Sequence, residues 1–273
     1  MLFANLSILK HHPMLAVCNC CNVDVNCEVK FLGEYKLALN SQRNTFGAVH
    51  VPLHSVAFGS IVLYEPVTFL TNLILTLSCL LFARQLQRMP NQDERTKGFY
   101  WFFTAMSFSF LMGGLAHLLY DYFDFYAWRR PSFIFTGLAV FAAQMSVRGQ
   151  FPASSRKVLS LFFSFEFLVY TWFILFKCDF LWLKINSTFG ITVFVIGSQL
   201  YSFYKEKDRR GLYIAAGLVL NILALPIHGF KLHLHPVYFN HNDLAHLLMM
   251  FCFYLMFMGA RGLNLPKLIR VKA

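Results

Sequence analysis

Seven apolar windows, each broken off by a short polar stretch, run from residue 66 to residue 261: 66–86, 99–121, 133–148, 157–176, 182–204, 211–229 and 243–261. A helix needs about 20 mainly apolar residues to cross a bilayer. The pattern therefore predicts an all-α membrane protein, a seven-transmembrane helix bundle, with the third span the shortest. The breaks read QRMPNQDERTK, YAWRRPS, RGQFPASSRK and KEKDRR, and a long His-rich connection follows Pro226. No internal repeat is visible.

The windows divide the chain into three parts. Residues 1–62 form a Cys-containing N-terminal segment, expected to be poorly ordered; 63–262 form the seven-helix transmembrane domain; 263–273 form a short basic tail. The segment Met1–Pro13 lacks the charged start, long apolar run and small-residue cleavage site of a signal peptide. Cys18, Cys20, Cys21 and Cys27 are spaced C-x-C-C-x5-C, which is not a zinc-ribbon spacing. The window Gly47–Tyr64 is mildly apolar but is interrupted by His50, Pro52 and His54, and is not counted as a span.

Composition agrees with a membrane setting. Hydrophobic residues make up 57% of the chain and charged residues only 14%, against about 25% charged in a soluble domain. The net charge of +11 does not point to nucleic acid, because the basic residues fall in the short loops, where they set topology. One set of loops and the tail carry Arg88, Arg95, Lys97, Arg148, Arg156, Lys157, Lys205, Lys207, Arg209, Arg210, Arg261, Lys267, Arg270 and Lys272. The opposite loops carry only Arg129, Arg130, Lys177, Lys184 and Lys231. The richer side should be cytosolic, which leaves the N-terminus lumenal or extracellular and the C-terminus cytosolic, in an endomembrane or the plasma membrane. Asn5-Leu6-Ser7 and Asn186-Ser187-Thr188 are glycosylation sequons on the outer side.

That topology draws polar residues together in one leaflet. Glu65, Thr68 and Asn72 open the first span there; His117 closes the second, with Asp121 and Asp124 beyond it; His228 closes the sixth; Asn242, Asp243 and His246 open the seventh. Ionisable groups in a bilayer are costly and usually face a cavity or the bundle interior. His117 and Asp121 share a helix face, as do Asn242 and His246. His241 shares a face with His246 only if it precedes the helix cap. For His117 and His246 the readings are a shared metal, a hydrogen-bonded structural pair, or exposure at the interface. Asn242 and Asp243 also read as helix caps, and His233 and His235 as loop residues. Glu166, Gln199 and Asn221, deep in later spans, read as interhelical hydrogen-bonding residues, with a transport path as the alternative. Ser107 and Ser109 should bond back to helix carbonyls, and Cys79 and Cys252 should pack.

The acidic opening EPVTFLTN, the G-x-x-x-H from Gly113 to His117 and the polar-x-x-x-H from Asn242 to His246 resemble the alkaline ceramidase and CREST superfamily. That group also contains the progestin and adiponectin receptors. The resemblance covers about residues 65–262 and implies a seven-helix hydrolase with zinc held by one His of the second helix and two of the seventh. His117 and His246 match two of those ligands, while Asn242 stands where the third His would be and Gly113 where the family has Ser. Asp121 and Asp124 lie nearer to His117 than the family's Asp. His241, or failing it His228 or an Asp, is then the candidate third ligand. Asp121 or Asp243 is the candidate base, and Glu65, Asn72, His228 and Asn242 give polar support. Zinc-bound hydroxide would attack an amide or ester of a membrane lipid. The alternatives are a non-catalytic seven-helix lipid-binding or receptor-like protein, and a bis-His haem carrier, whose His pairs would be expected at both membrane faces.

Overall fold

The computed structural model describes residues 27–30, 36–39, 55–58, 61–120, 122, 125–235 and 238–262. Two compact units divide the chain, Met1–Leu63 and Tyr64–Ala273. In the first, strands β1 (Cys27–Lys30) and β2 (Lys36–Leu39) pair antiparallel, with Cys27 opposite Leu39 and Lys30 opposite Lys36. Strands β3 (Ser55–Phe58) and β4 (Ile61–Tyr64) form a second two-stranded sheet where the sequence pattern predicted neither strand nor span. Cys18, Cys20, Cys21, the Asn5 sequon, Asp121, Asp124 and the basic tail lie outside the described residues, as does most of the segment expected to be poorly ordered.

The second unit is helical: α1 (Pro66–Gln87), α2 (Glu94–Leu118), α3 (Phe125–Val147), α4 (Ala153–Lys177), α5 (Phe180–Ser187), α6 (Gly197–Glu206), α7 (Arg209–Asn221), α8 (Ala224–Gly229) and α9 (His241–Arg261). A π-helical segment, Thr188–Ile196, joins α5 to α6 into one continuous rod. Among the described residues, six helices are long and apolar enough to cross a membrane: α1, α2, α4, the α5–α6 rod, α7 with α8, and α9. The predicted third span lies within α3. That helix has 23 residues, but Arg129 and Arg130 in its first turns, and Ser132, Gln144 and Ser146, make it more polar than the six. Those last three side chains are buried, because α3 packs against α2, α4, α5 and the π segment.

Local chemistry explains the element ends. Pro66 sits in the first turn of α1, where no intrahelical N–H is needed, and Glu65 precedes it in the left-handed region at φ 42°. Asp93 caps α2, its carboxylate accepting the Thr96 N–H at 2.8 Å. The buried residues of α1 recur every three or four positions, at Thr68, Asn72, Leu75, Thr76, Cys79, Ala83 and Leu86. They form the stripe that α2 and α9 cover. Below its polar upper end lies the apolar core, built on Leu75, Leu86, Phe99, Phe103, Ile214 and Met256. Cys79 and Cys252 are buried packing residues, as expected.

Glycine sets the closest helix approaches. A Cβ on Gly98 of α2 would lie 2.3 Å from the Ser146 Cβ of α3, and one on Gly217 of α7 would lie 2.6 Å from the Cys252 carbonyl of α9. Ser107 bonds back to the Thr104 carbonyl at 2.6 Å, as expected, but Ser109 does not bond within its own helix. Its Oγ lies 2.7 Å from Thr136 Oγ1 and 2.9 Å from the Ser132 carbonyl, because α2 and α3 are close enough there for the neighbouring helix to supply partners.

At one end of the bundle a cationic clamp joins three helices. The Arg210 guanidinium donates to Asp93 (2.7 Å), Thr96 Oγ1 (3.2 Å) and the last-turn carbonyls of α9, Gly259 (3.2 Å) and Ala260 (2.9 Å). Beside it Arg95 pairs with Asp208. Burial alone would raise the Asp93 carboxyl, but the hydrogen bonds from Arg210 and Thr96 and the Arg210 charge outweigh it and hold the group down at about 2. A depressed carboxylate stabilises the fold above its unfolded pKa, and that stability disappears as pH falls from about 4 through 2. The pair is half exposed, so solvent screening keeps its contribution below about 1 kcal/mol. Asp93→Asn should lower the melting midpoint by about 2 °C at pH 7 and by only a small fraction of that near pH 2. Melting curves across that range check it.

The second sequon is packed into the bundle. Asn186 is only 7% exposed and lies inside α5, so packing shields the amide that a glycosyl transfer would need to reach.

Candidate functional site

The opposite end of the bundle carries the polar site. The start of α1, the last turn of α2 and the start of α9 meet there because α2 runs antiparallel to the other two. Glu65, just before α1, and His117, in the last turn of α2, form a carboxylate–imidazole pair with Oε2 and Nδ1 2.5 Å apart. The carboxylate is 12% exposed and the imidazole 37%. A shielded carboxylate accepting from Nδ1–H fixes the ring's orientation and leaves Nε2 on an accessible edge.

Alpha-9 begins at least two residues earlier than its Asn and Asp suggested. Asn240 is the cap, not Asn242 or Asp243: its side-chain oxygen accepts from the N–H groups of Asn242 (2.7 Å) and Asp243 (3.4 Å). Asp243, at the third helical position, returns a carboxylate oxygen to the Asn240 N–H at 2.9 Å and completes a capping box. His241 is therefore the first residue of the helix. The Asn240 amide also donates to Glu65 Oε1 (3.2 Å) and Thr68 Oγ1 (3.3 Å), joining the cap to the imidazole pair.

Asp243 is buried to 1% exposure, and its second oxygen accepts from Thr71 Oγ1 at 3.3 Å, with Thr68 a further partner. Thr71 Oγ1 lies 2.8 Å from His246 Nδ1. The single Thr71 hydroxyl proton has three acceptors around it, the Thr68 carbonyl at 3.0 Å, Asp243 and His246 Nδ1, so Thr71 ties α1 to both α9 side chains. The His246 ring stands edge-on to Phe110.

The other expected residues fall around this centre. His228 and His241 face each other at right angles, ring centroids 5.6 Å apart. Asn72 is buried, donates to the Thr68 carbonyl at 2.8 Å and packs where Gly114 leaves room. A Cβ on Gly113 would lie 3.3 Å from the Ser132 hydroxyl of α3. His233 and His235 are loop residues: His233 Nδ1 sits 2.8 Å from the Lys231 carbonyl and His235 Nδ1 accepts the Tyr238 N–H. Thr71 and Asn240 are the members that sequence reasoning missed. The signal for Thr71 is the three-to-four-residue spacing of Glu65, Thr68, Thr71, Asn72 and Thr76.

Two imidazoles whose Nδ1 atoms are held by oxygen partners have the outer support that metal-binding histidines display. A zinc site needs at least three protein ligands, and among the described residues no group of three His, Cys, Asp or Glu side chains comes together as one. Both Asp243 oxygens are engaged, with the Asn240 N–H and with Thr71. The described residues thus do not complete a zinc site.

A bundle of long apolar helices with polar residues gathered at one end is the build of a multi-pass membrane protein. The chain belongs to DUF6962, a family of unknown function, whose model matches residues 67–265. Comparison with curated proteins and with solved structures finds no match.

Proposed function

We propose that this protein binds the polar end of a membrane lipid at the Glu65–His117 pair, as a non-catalytic seven-helix lipid-binding or receptor-like protein related in fold to the alkaline ceramidase group. In this reading α3 is the seventh span, the Arg210 end faces the cytosol and the Glu65 end faces the lumen or exterior. The pair carries the proposal: a shielded carboxylate fixes an accessible imidazole at headgroup depth, where its Nε2 accepts a hydrogen bond from a lipid hydroxyl or amide N–H.

Hydrolysis of a lipid amide or ester is the second reading, and the imidazole held by a carboxylate favours it. An imidazole with Nε2 unprotonated and Nδ1 held by a carboxylate can take a proton from water. Asp121 lies outside the described residues, Asp243 is engaged, and Gly113 has no hydroxyl. That leaves His117, with Glu65 behind it, as the base.

Purified protein in nanodiscs made from a mixed lipid extract tests both. One lipid class should co-purify at least tenfold enriched over the bulk, and His117→Ala should remove that enrichment. Enrichment without turnover supports the binding protein; product formation that His117→Ala abolishes supports the hydrolase. Uniform lipid in wild type and variant alike, with no product, would sink both readings.

A further inference from the structure

Away from this site, between the middle of α4 and the α5–π junction, lies a cavity of about 120 Å³ lined by Glu166, Val169, Tyr170, Phe173, Trp182, Ile185, Asn186 and Phe189. Its walls are apolar and aromatic, with Phe173 and Trp182 stacked 3.7 Å apart. Two buried polar atoms belong to its lining residues and have no partner: Glu166 Oε1 and Asn186 Nδ2. Gln144 of α3 donates to the other Glu166 oxygen at 2.7 Å, fixing the carboxyl and leaving Oε1 over. An orphaned buried polar atom costs roughly 1–3 kcal/mol, so two of them at one cavity call for a polar partner.

The surrounding backbone is adapted to the same place. The π-helical segment begins two residues after Asn186, and such segments often accompany functional sites. Within it, a Cβ on Gly190 would lie 2.7 Å from Val140 Cγ1, 2.8 Å from Gln144 Nε2 and 3.1 Å from Glu166 Oε1. Only a glycine lets the rod approach the Gln144–Glu166 pair so closely. The cavity's rim is lipid-facing, since Val169, Ile185 and Phe189 are all exposed on the bundle wall.

We infer that this cavity is a binding site for the hydroxyl end of an uncharged membrane lipid. A hydroxyl there accepts from Asn186 Nδ2 or donates to Glu166 Oε1 once that side chain turns its orphaned atom into the cavity. Depth selects the lipid's charge. Glu166 is 11 residues from the end of α4 at Lys177, about 16 Å along the helix, where a charged headgroup would be costly to bring. A neutral hydroxyl lipid can descend that far. Sterols and diacylglycerols share this chemistry, and the cavity takes the hydroxyl with the first few carbons while the remainder stays among the acyl chains.

Photoreactive analogues of a sterol, a diacylglycerol and a phosphatidylcholine, carrying matched diazirines, would be crosslinked to the full chain in nanodiscs and the labelled peptides mapped. Labelling of α4 or α5 by the sterol or the diacylglycerol, at least tenfold above the phosphatidylcholine, supports the site and says which source fills it. Asn186→Leu should remove that excess. Val169→Trp should do the same by obstructing the rim from an exposed position that leaves the polar pair untouched. Equal labelling by all three lipids, labels mapping elsewhere, or an excess that survives Val169→Trp would overturn the inference. Lipid enrichment at His117 is read separately through His117→Ala, so either site can fail alone.

Discussion

Gly98→Ala should cost roughly 3 kcal/mol and lower the melting midpoint of the detergent-purified protein by about 6–10 °C. The added methyl carbon would sit 2.3 Å from Ser146 Cβ, 2.6 Å from Ser146 Cα and 2.9 Å from the Ala142 carbonyl. Two of those three atoms are backbone, so rotamer changes cannot relieve the overlap and α2 must move away from α3. The movement would loosen Phe99 and Phe103, fully buried on the same helix. Ser146→Gly in the same chain should recover part of the loss by removing the nearest atom. Gly197→Ala, whose new methyl would find nothing closer than the Thr192 carbonyl at 4.0 Å, should leave the midpoint unchanged. A Gly98→Ala protein that melts like wild type would show that α2 and α3 do not meet at this crossing.

Asp243→Ala should cost about as much and should also remove the site. The substitution leaves the part-buried Asn240 N–H without its acceptor and takes a partner from Thr71 and from Thr68. Each unanswered buried donor costs roughly 1–3 kcal/mol. Because the same carboxylate closes the capping box, the first turn of α9 should fray and His246 should lose its fixed orientation. Asp243→Asn keeps one acceptor oxygen and should fall between. A melting series of wild type, Asn and Ala, read beside lipid enrichment, checks the order; enrichment unchanged in Asp243→Ala would separate the cap from the site.

The six spanning helices were legible because each is a long apolar run, which needs no partner to be recognised. Alpha-3 was the hardest to read: its Gln144 and Ser146 are buried against neighbouring helices, and no local pattern announces a neighbour. The π segment, TFGITVFVI, is uniformly apolar and carries no periodicity from which its widened turns could be read. Asn240 shows a different limit. Three polar residues in a row, Asn240, Asn242 and Asp243 around His241, all suit a helix start, and only the returning carboxylate of Asp243 selects the first. Membership of His117, His246 and Glu65 in one cluster was accessible from topology. Their actual partners were not, since Thr71 lies 175 residues from His246 and nothing local pairs them.

The Arg210 clamp has a mechanical consequence for the other end of the molecule. It ties α7 to the last turn of α9 and, through Asp93 and Thr96, to the first turn of α2. Alpha-9 has 21 residues and is about 31 Å long, so it behaves as a lever with its fulcrum at Arg210 and its free arm at Asn240. A tilt of roughly 5° about that fulcrum carries the free end about 2–3 Å, enough to part the Asn240 amide from Glu65 and Thr68. A small rotation of α9 at the arginine end would therefore reach the contacts that join Asn240 to Glu65 beside His117.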